Sequence, residues 1–83
     1  MSVTYIVDKY YEDGSNKIVG LMCTHTSGEV FIVDKQVAIV DGTTDESYVQ
    51  QAYSAAQTEI DGWAAQFNVK GKTFNPSDNS LSD

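Results

Sequence analysis

The sequence predicts an α+β fold, in which a three- to four-stranded antiparallel sheet (βββα) packs on one amphipathic helix. Three segments rich in β-branched and aromatic residues come first, and turn-forming residues separate them. One stretch with apolar residues at helical spacing follows, and a polar segment closes the chain. We expect a single βββα domain over residues 1–74 and a flexible polar tail over residues 75–83.

The three predicted strands follow from alternation and from turn signals. Residues 3–11 alternate in a way that predicts a strand, and Asp13-Gly14 predicts a hairpin leading into a second strand at 17–26. Residues 30–40 predict a third strand, which polar residues interrupt at 34–36. Because no glycine or proline lies at the interruption, we favour one long strand with a bulge there over two short strands.

The helix is predicted at about residues 45–67. Thr43 and Glu46 have the spacing of a capping box, which marks a helix start. Gly62 costs about 1 kcal/mol relative to alanine, and it allows either a close approach to the sheet or a frayed helix end. Residues 72–74 are compatible with a short edge strand. The helical stripe consists of Val49, Ala52, Tyr53, Ala56, Ile60, Trp63, Ala64 and Phe67.

The composition argues against several classes of function. The chain has 12 acidic residues, five lysines and no arginine, and its formal net charge is −7. Nucleic-acid binders neutralise phosphates with clustered lysine and arginine, so we expect no nucleic-acid partner. No apolar segment is long enough to cross a membrane, and the first residues lack the pattern of a signal peptide. We therefore expect no membrane partner and no signal-directed secretion.

Few residues suggest chemistry. Cys23 and His25 lie two apart on a strand and therefore on one face, which suits a nucleophile and base. A buried thiol beside a partly exposed imidazole explains the pair more simply. Asp41, Asp45 and Glu46 suit either a calcium ion or the start of a helix, and we favour the helix start. We predict no enzyme, no catalytic residue, no cofactor and no metal.

The apolar content instead predicts a binding surface. The third strand is apolar on both faces, whereas one helix covers only one face of a sheet. The second face then needs the tail, another subunit or a partner protein to cover it. Aromatic residues are enriched at protein interfaces. The predicted interface residues are Tyr10, Tyr11, Phe31, Val33 and Phe74.

Three short segments carry a resemblance to a known group of proteins. They are the Tyr5-Ile6-Val7 opening, the Asp13-Gly14 hairpin and Ile60-Asp61-Gly62-Trp63 on the helix. With the order of the elements, residues 3–67 resemble small accessory proteins of tailed bacteriophages. The resemblance implies a structural or virion-associated role, in the virion or the host cytoplasm.

These observations favour a non-enzymatic protein–protein interaction module that works as a homo-oligomer or bound to a larger assembly. Two alternatives remain open. One is a small acidic inhibitor that acts as a decoy for a host protein, which a dense patch of carboxylates would favour. The other is a small-ligand-binding module, which needs a sizeable pocket between the sheet and the helix.

Overall fold

The predicted α+β class is confirmed. The computed structural model describes residues 2–83 and contains a three-stranded antiparallel sheet, one helix packed against it and a separate two-stranded sheet. The elements in chain order are β1 (Val3–Asp13), β2 (Asn16–His25), β3 (Val30–Ala38), α1 (Asp45–Ala65), a 3-10 turn (Gln66–Asn68), β4 (Thr73–Asn75) and β5 (Ser80–Ser82).

The main sheet has the order β1-β2-β3, so β2 is the central strand. The two-residue turn between β1 and β2 contains Gly14 with a φ of +62°, as the first position of a type II′ hairpin requires. β2 and β3 pair without interruption from Asn16↔Ala38 to Thr24↔Val30. The third strand is therefore continuous, as favoured, and it ends at Ala38.

The bulge expected at residues 34–36 is absent from β3, and a bulge lies in β1 instead. The β1–β2 register shifts between Val7 and Lys9, so that Asp8 is an extra residue opposite Gly20. Residues 34–36 need no bulge because normal alternation places Lys35 on the helix side, where it forms an ion pair with Glu59.

The helix begins at Asp45, as predicted, but its N-cap is not the residue that the capping-box spacing predicts. Thr44, and not Thr43, is the N-cap, and its Oγ1 accepts a hydrogen bond from the Ser47 backbone N–H at 3.2 Å. Thr44 has the extended backbone of an N-cap residue, so Asp45 and Glu46 fall in the first helical turn. Their carboxylates lie where the helix dipole favours negative charge.

The helix packs over β2 and β3 and leaves β1 largely exposed. Its buried residues recur every four positions, at Tyr48, Ala52, Ala56 and Ile60. The two small alanines allow the helix to approach the strands closely. Tyr48 closes one end of the core, because its hydroxyl donates to the Val40 carbonyl and accepts from the Val40 N–H, both at 3.1 Å.

Aromatic rings close the other end of the core. Trp63 stacks on Phe31 with ring centroids 5.6 Å apart, and it meets Phe67 edge-on at 5.4 Å. Phe67 in turn stacks on His25 at 3.6 Å. This contact extends the helical segment through the 3-10 turn to Asn68, close to the predicted end at 67.

The C-terminal segment contains a short β-hairpin. β4 and β5 pair antiparallel with Phe74 opposite Leu81, where the sequence predicts no strand beyond residue 75. This hairpin is separate from the main sheet. It extends the molecule to 60 Å and gives a radius of gyration of 17.1 Å, against about 12 Å for a compact chain of this length. The flexibility of residues 75–83 stays a prediction.

Two glycines provide a matched test of the packing. A methyl group at Gly62 would meet no atom within 4 Å, so the close approach to the sheet suggested for this residue is wrong. At Gly20 a methyl group would lie 2.6 Å from Asp8 Oδ1, 2.7 Å from Asp34 Oδ1 and 2.9 Å from Lys9 Cβ. The two carboxylates can rotate away, but the backbone holds Lys9 Cβ in place.

We expect Gly20→Ala to lower the free energy of unfolding by about 1–3 kcal/mol because the sheet must distort. Gly62→Ala should raise it by up to about 1 kcal/mol through helix propensity. Urea denaturation of both variants measures the difference. A Gly20→Ala protein as stable as the parent would contradict this account of the bulge.

Candidate functional site

The side of the main sheet opposite α1, which we call the open face, carries a row of exposed apolar side chains. Strand register places Ile6, Met22 and Ile32 directly beside one another across the three strands. Ile6 and Ile32 are each 53% exposed. Val30 lies in the neighbouring row and is also exposed. Part of the apolar surface of the sheet is therefore left uncovered within this chain.

A charged row crosses the middle of the open face. The bulge sets Asp8 and Lys9 of β1 opposite Gly20, and Asp34 of β3 lies on the other side of Gly20. Lys9 Nζ donates to Asp34 Oδ2 at 2.8 Å, and this hydrogen bond raises the pKa of Lys9. Any partner on the open face must contact this ion pair as well as the apolar row.

The two adjacent tyrosines of the predicted interface point to opposite faces, as alternation requires. Tyr11 pairs with Ile18 on the open face and is 52% exposed. Tyr10 lies on the helix side, where its hydroxyl donates to Asp45 Oδ1 at 2.6 Å. Tyr10 therefore links β1 to the start of α1, and only Tyr11 adds to the open face.

Val33 requires a correction to the predicted interface. It is 7% exposed and packs with Leu21, Ala56 and Ile60 in the core, so it has no surface to offer a partner. Phe31 shares its face and is half-buried against Trp63. Phe74 is exposed, but it lies on the C-terminal hairpin and not on the main sheet.

Sequence reasoning missed the residues that form the open face. Ile32 lies between Phe31 and Val33, and strand alternation alone separates it from both. The signal that could have identified it is Cys23, for which the sequence favours a buried thiol and which lies in the core beneath the helix. Cys23 pairs with Phe31, so Phe31 and Val33 had to face α1 and Ile32 the opposite side.

A groove lies on the helix side, between α1 and β1. Its volume is about 500 Å³. Tyr5 and Tyr53 meet there edge-to-face, with ring centroids 5.1 Å apart. The groove exists because α1 covers β2 and β3 but not the edge strand β1. Its lining residues are Tyr5, Leu21, Asp45, Glu46, Val49, Gln50 and Tyr53.

Ion pairs engage every lysine of the chain. The pairs are Lys9–Asp34, Lys17–Glu12, Lys35–Glu59, Lys70–Glu29 and Lys72–Asp83. Within residues 2–83, the other seven carboxylates have no lysine within ion-pair distance. The charge available to a partner is therefore negative.

Several of these carboxylates gather at one end of the molecule, which we call the acidic end. The β1–β2 turn and the β3–α1 connection meet there, since the Ile39 backbone N–H donates to the Ser15 carbonyl at 3.0 Å. The start of α1 joins them through the Tyr10–Asp45 hydrogen bond. The carboxylates of this end belong to Glu12, Asp13, Asp41, Asp45 and Glu46.

Cys23 and His25 share a face, as alternation predicts, but their surroundings favour a structural role. Cys23 is fully buried, and burial raises the pKa of its thiol, which disfavours the reactive thiolate. His25 Nδ1 accepts from the Ser27 backbone N–H at 3.1 Å. Because Nδ1 accepts this hydrogen bond and Nε2 is buried without a partner in the described residues, neither ring nitrogen is free to take a proton from the Cys23 thiol.

The described residues contain no cluster of three or more histidine, cysteine or acidic side chains arranged to hold a metal ion. None of the helical segments within residues 2–83 combines the length and the apolar character of a membrane span. No protein-family model matches the chain, and neither the curated proteins nor the solved structures contain a match to it. Function has to be argued from the surfaces themselves.

Thiol labelling tests the assignment of Cys23 as a core residue. We expect a disulfide reagent such as DTNB to leave the folded protein unmodified and to titrate one thiol per chain in concentrated urea, because labelling requires opening of the sheet. The measurement is the absorbance of the released thiolate over time. Rapid labelling of the folded protein would restore Cys23 as a candidate nucleophile.

Two tyrosines make the free energy of unfolding depend on pH in the alkaline range. The hydrogen bond to Asp45 raises the pKa of Tyr10 to about 12, and burial beside Tyr53 raises the pKa of Tyr5 to about 12. A folded pKa above the ordinary 10.0 means that the folded state holds the proton more tightly. This stabilisation is complete below pH 10 and is lost as the pH rises through about 12.

We therefore expect the free energy of unfolding to fall between pH 10 and 12, and the fall to be shallower in Tyr5→Phe and Tyr10→Phe. Urea denaturation at several pH values gives the slope. Tyr11→Phe is the matched control, because Tyr11 lies on the open face away from both contacts. If the dependence of the unfolding free energy on pH is unchanged in both test variants, the contacts assigned to Tyr5 and Tyr10 are wrong.

Proposed function

We propose that the protein is a non-enzymatic protein–protein interaction module that joins another copy of itself or a larger assembly through the open face. The row of exposed Ile6 and Ile32 with half-buried Met22 between them carries this proposal. Apolar side chains in contact with one another on a small sheet cost free energy in water, and a partner surface would recover it.

The proposed biological setting is a phage-type structural or virion-associated accessory protein, acting in the virion or the host cytoplasm. Its support is the resemblance of residues 3–67 to accessory proteins of tailed bacteriophages. The open face adds to this support, because subunits of an assembly cover surfaces that an isolated protomer leaves in water. The buried thiol of Cys23 and the engaged Nδ1 and buried Nε2 of His25 support a role without catalysis.

A second candidate is a small acidic inhibitor that binds a host protein as a decoy. The acidic end favours it, because the topology brings five carboxylates to one end of the molecule. A third candidate is a small-ligand-binding module using the groove between α1 and β1. The volume of the groove, about 500 Å³, lies in the range of small-molecule sites.

Self-association separates the leading proposal from these candidates. We expect the protein to form oligomers at micromolar concentration, and we expect Ile32→Asp to weaken them by at least tenfold by placing a charge in the apolar contact. Analytical ultracentrifugation over a concentration series measures both effects.

Val69→Asp is the matched control, because Val69 is an aliphatic residue of similar exposure that lies off the sheet. It introduces the same charge and should leave the association unchanged. A protein that is monomeric at every concentration and recovers no partner from phage particles would overturn the proposal.

A further inference from the structure

The outer edge of β1 is open along its length. β1 is the first strand of the sheet order and pairs only with β2, so alternate residues present unpaired backbone N–H and C=O groups on its other side. The bulge at Asp8 divides the edge into two regular stretches, Val3–Val7 and Lys9–Asp13. The groove runs beside the first stretch, with Tyr5 forming part of its wall, and its anionic part reaches the second, because Asp45 accepts a hydrogen bond from Tyr10.

The groove has an apolar part and an anionic part. Tyr5, Leu21 and Tyr53 line the apolar part, and Val49 on the next turn of α1 extends it. Asp45 and Glu46 line the opposite part, at the start of the helix. Within the described residues no lysine forms an ion pair with Asp45 or Glu46. Lys17 lies over the rings of Tyr10 and Tyr48 and pairs with Glu12, so this part of the groove keeps two carboxylates without a lysine partner.

The geometry points to strand addition: an extended peptide segment bearing lysine or arginine pairs with the open edge of β1 and fills the groove beside α1. Main-chain hydrogen bonds to Val3–Val7 supply affinity, and the alternate side chains on the helix side supply specificity. One of these side chains is apolar and packs against Tyr5 and Tyr53. Another is cationic and pairs with Glu46 or Asp45.

The spacing of the two anchors follows from helix and strand dimensions. Glu46 lies about one turn, or roughly 6 Å, before Gln50, and Tyr53 lies about one turn further on. Residues i and i+2 of an extended peptide point to the same side and lie about 7 Å apart. On β1, Tyr5 contacts Tyr53 and Tyr10 contacts Asp45, four register positions apart. The recognised pattern is therefore an apolar residue and a basic residue separated by three positions.

Charge favours a cationic peptide over a second copy of this chain at the edge of β1. Antiparallel pairing of two β1 strands about a two-fold axis would place two helices, each with Asp45 and Glu46 exposed, on the same face of one sheet. Each copy also carries a formal charge of −7. The carboxylates beside the edge of β1 attract a basic peptide segment and repel a second copy of this chain.

The test uses a fluorescent peptide of about nine residues, long enough to pair with Val3–Val7 and to reach past the bulge, in which threonine alternates with leucine and lysine. We expect micromolar binding by fluorescence anisotropy, weakened severalfold by 0.5 M salt. The same peptide with glutamate in place of lysine should bind at least tenfold more weakly. Amide hydrogen exchange should slow at the outward-facing positions of Val3–Val7 when the peptide binds.

Two test variants and two control variants locate the peptide-binding site. Tyr5→Ser and Glu46→Lys should each weaken binding at least tenfold, and Asp78→Asn, which changes a carboxylate of the C-terminal hairpin, should not. Ile32→Asp should leave peptide binding unchanged, because the open face is a separate surface. A negative result for peptide binding at the groove can therefore be distinguished from a negative result for association through the open face. Urea denaturation establishes that each variant is folded.

The inference is overturned if the lysine peptide does not bind at millimolar concentration in low salt, or if the glutamate peptide binds equally well. It is also overturned if binding leaves the exchange of Val3–Val7 unchanged, since strand addition must protect those amides. If phenol alone binds the groove and the lysine peptide does not, the groove is a small-ligand site and not a peptide site.

Discussion

The width of one helix sets the limits of this structure. A helix with its side chains is about 10 Å across, whereas three strands span about 14 Å and have two faces. The helix can therefore cover two strands on one side, and the spacing of Tyr48, Ala52, Ala56 and Ile60 places it over β2 and β3. The open face and the groove beside β1 are the two areas that this arrangement leaves uncovered.

The sequence predicts the elements well because local patterns determine them. Alternation, the Asp13-Gly14 turn and the helical stripe predict β1, β2, β3 and α1 to within a few residues. The N-cap is Thr44, whereas the capping-box spacing predicts Thr43. Both threonines can cap, and the choice depends on how the loop after Val40 is held, which includes its contact with Tyr48.

The surfaces are harder to predict because they depend on which face of each strand the helix covers. β3 has apolar residues on both faces, so its own sequence does not distinguish the exposed Ile32 from the buried Val33. The bulge in β1 is also a tertiary effect. It brings Asp8 and Lys9 opposite Gly20, the one residue of β2 without a side chain to resist them. The position of Gly20 within an otherwise apolar strand was the available signal.

The charged row over Gly20 links the fold to its surfaces. Without it, the apolar side chains of Ile6, Met22 and Ile32 would lie beside an open edge with no charged residue next to them, an arrangement that promotes unselective aggregation. The Lys9–Asp34 pair and Asp8 separate this row from Tyr11, and the bulge interrupts the edge of β1 at the same level. A partner must then match charge as well as apolar shape, so the residues that limit aggregation also restrict which proteins can bind.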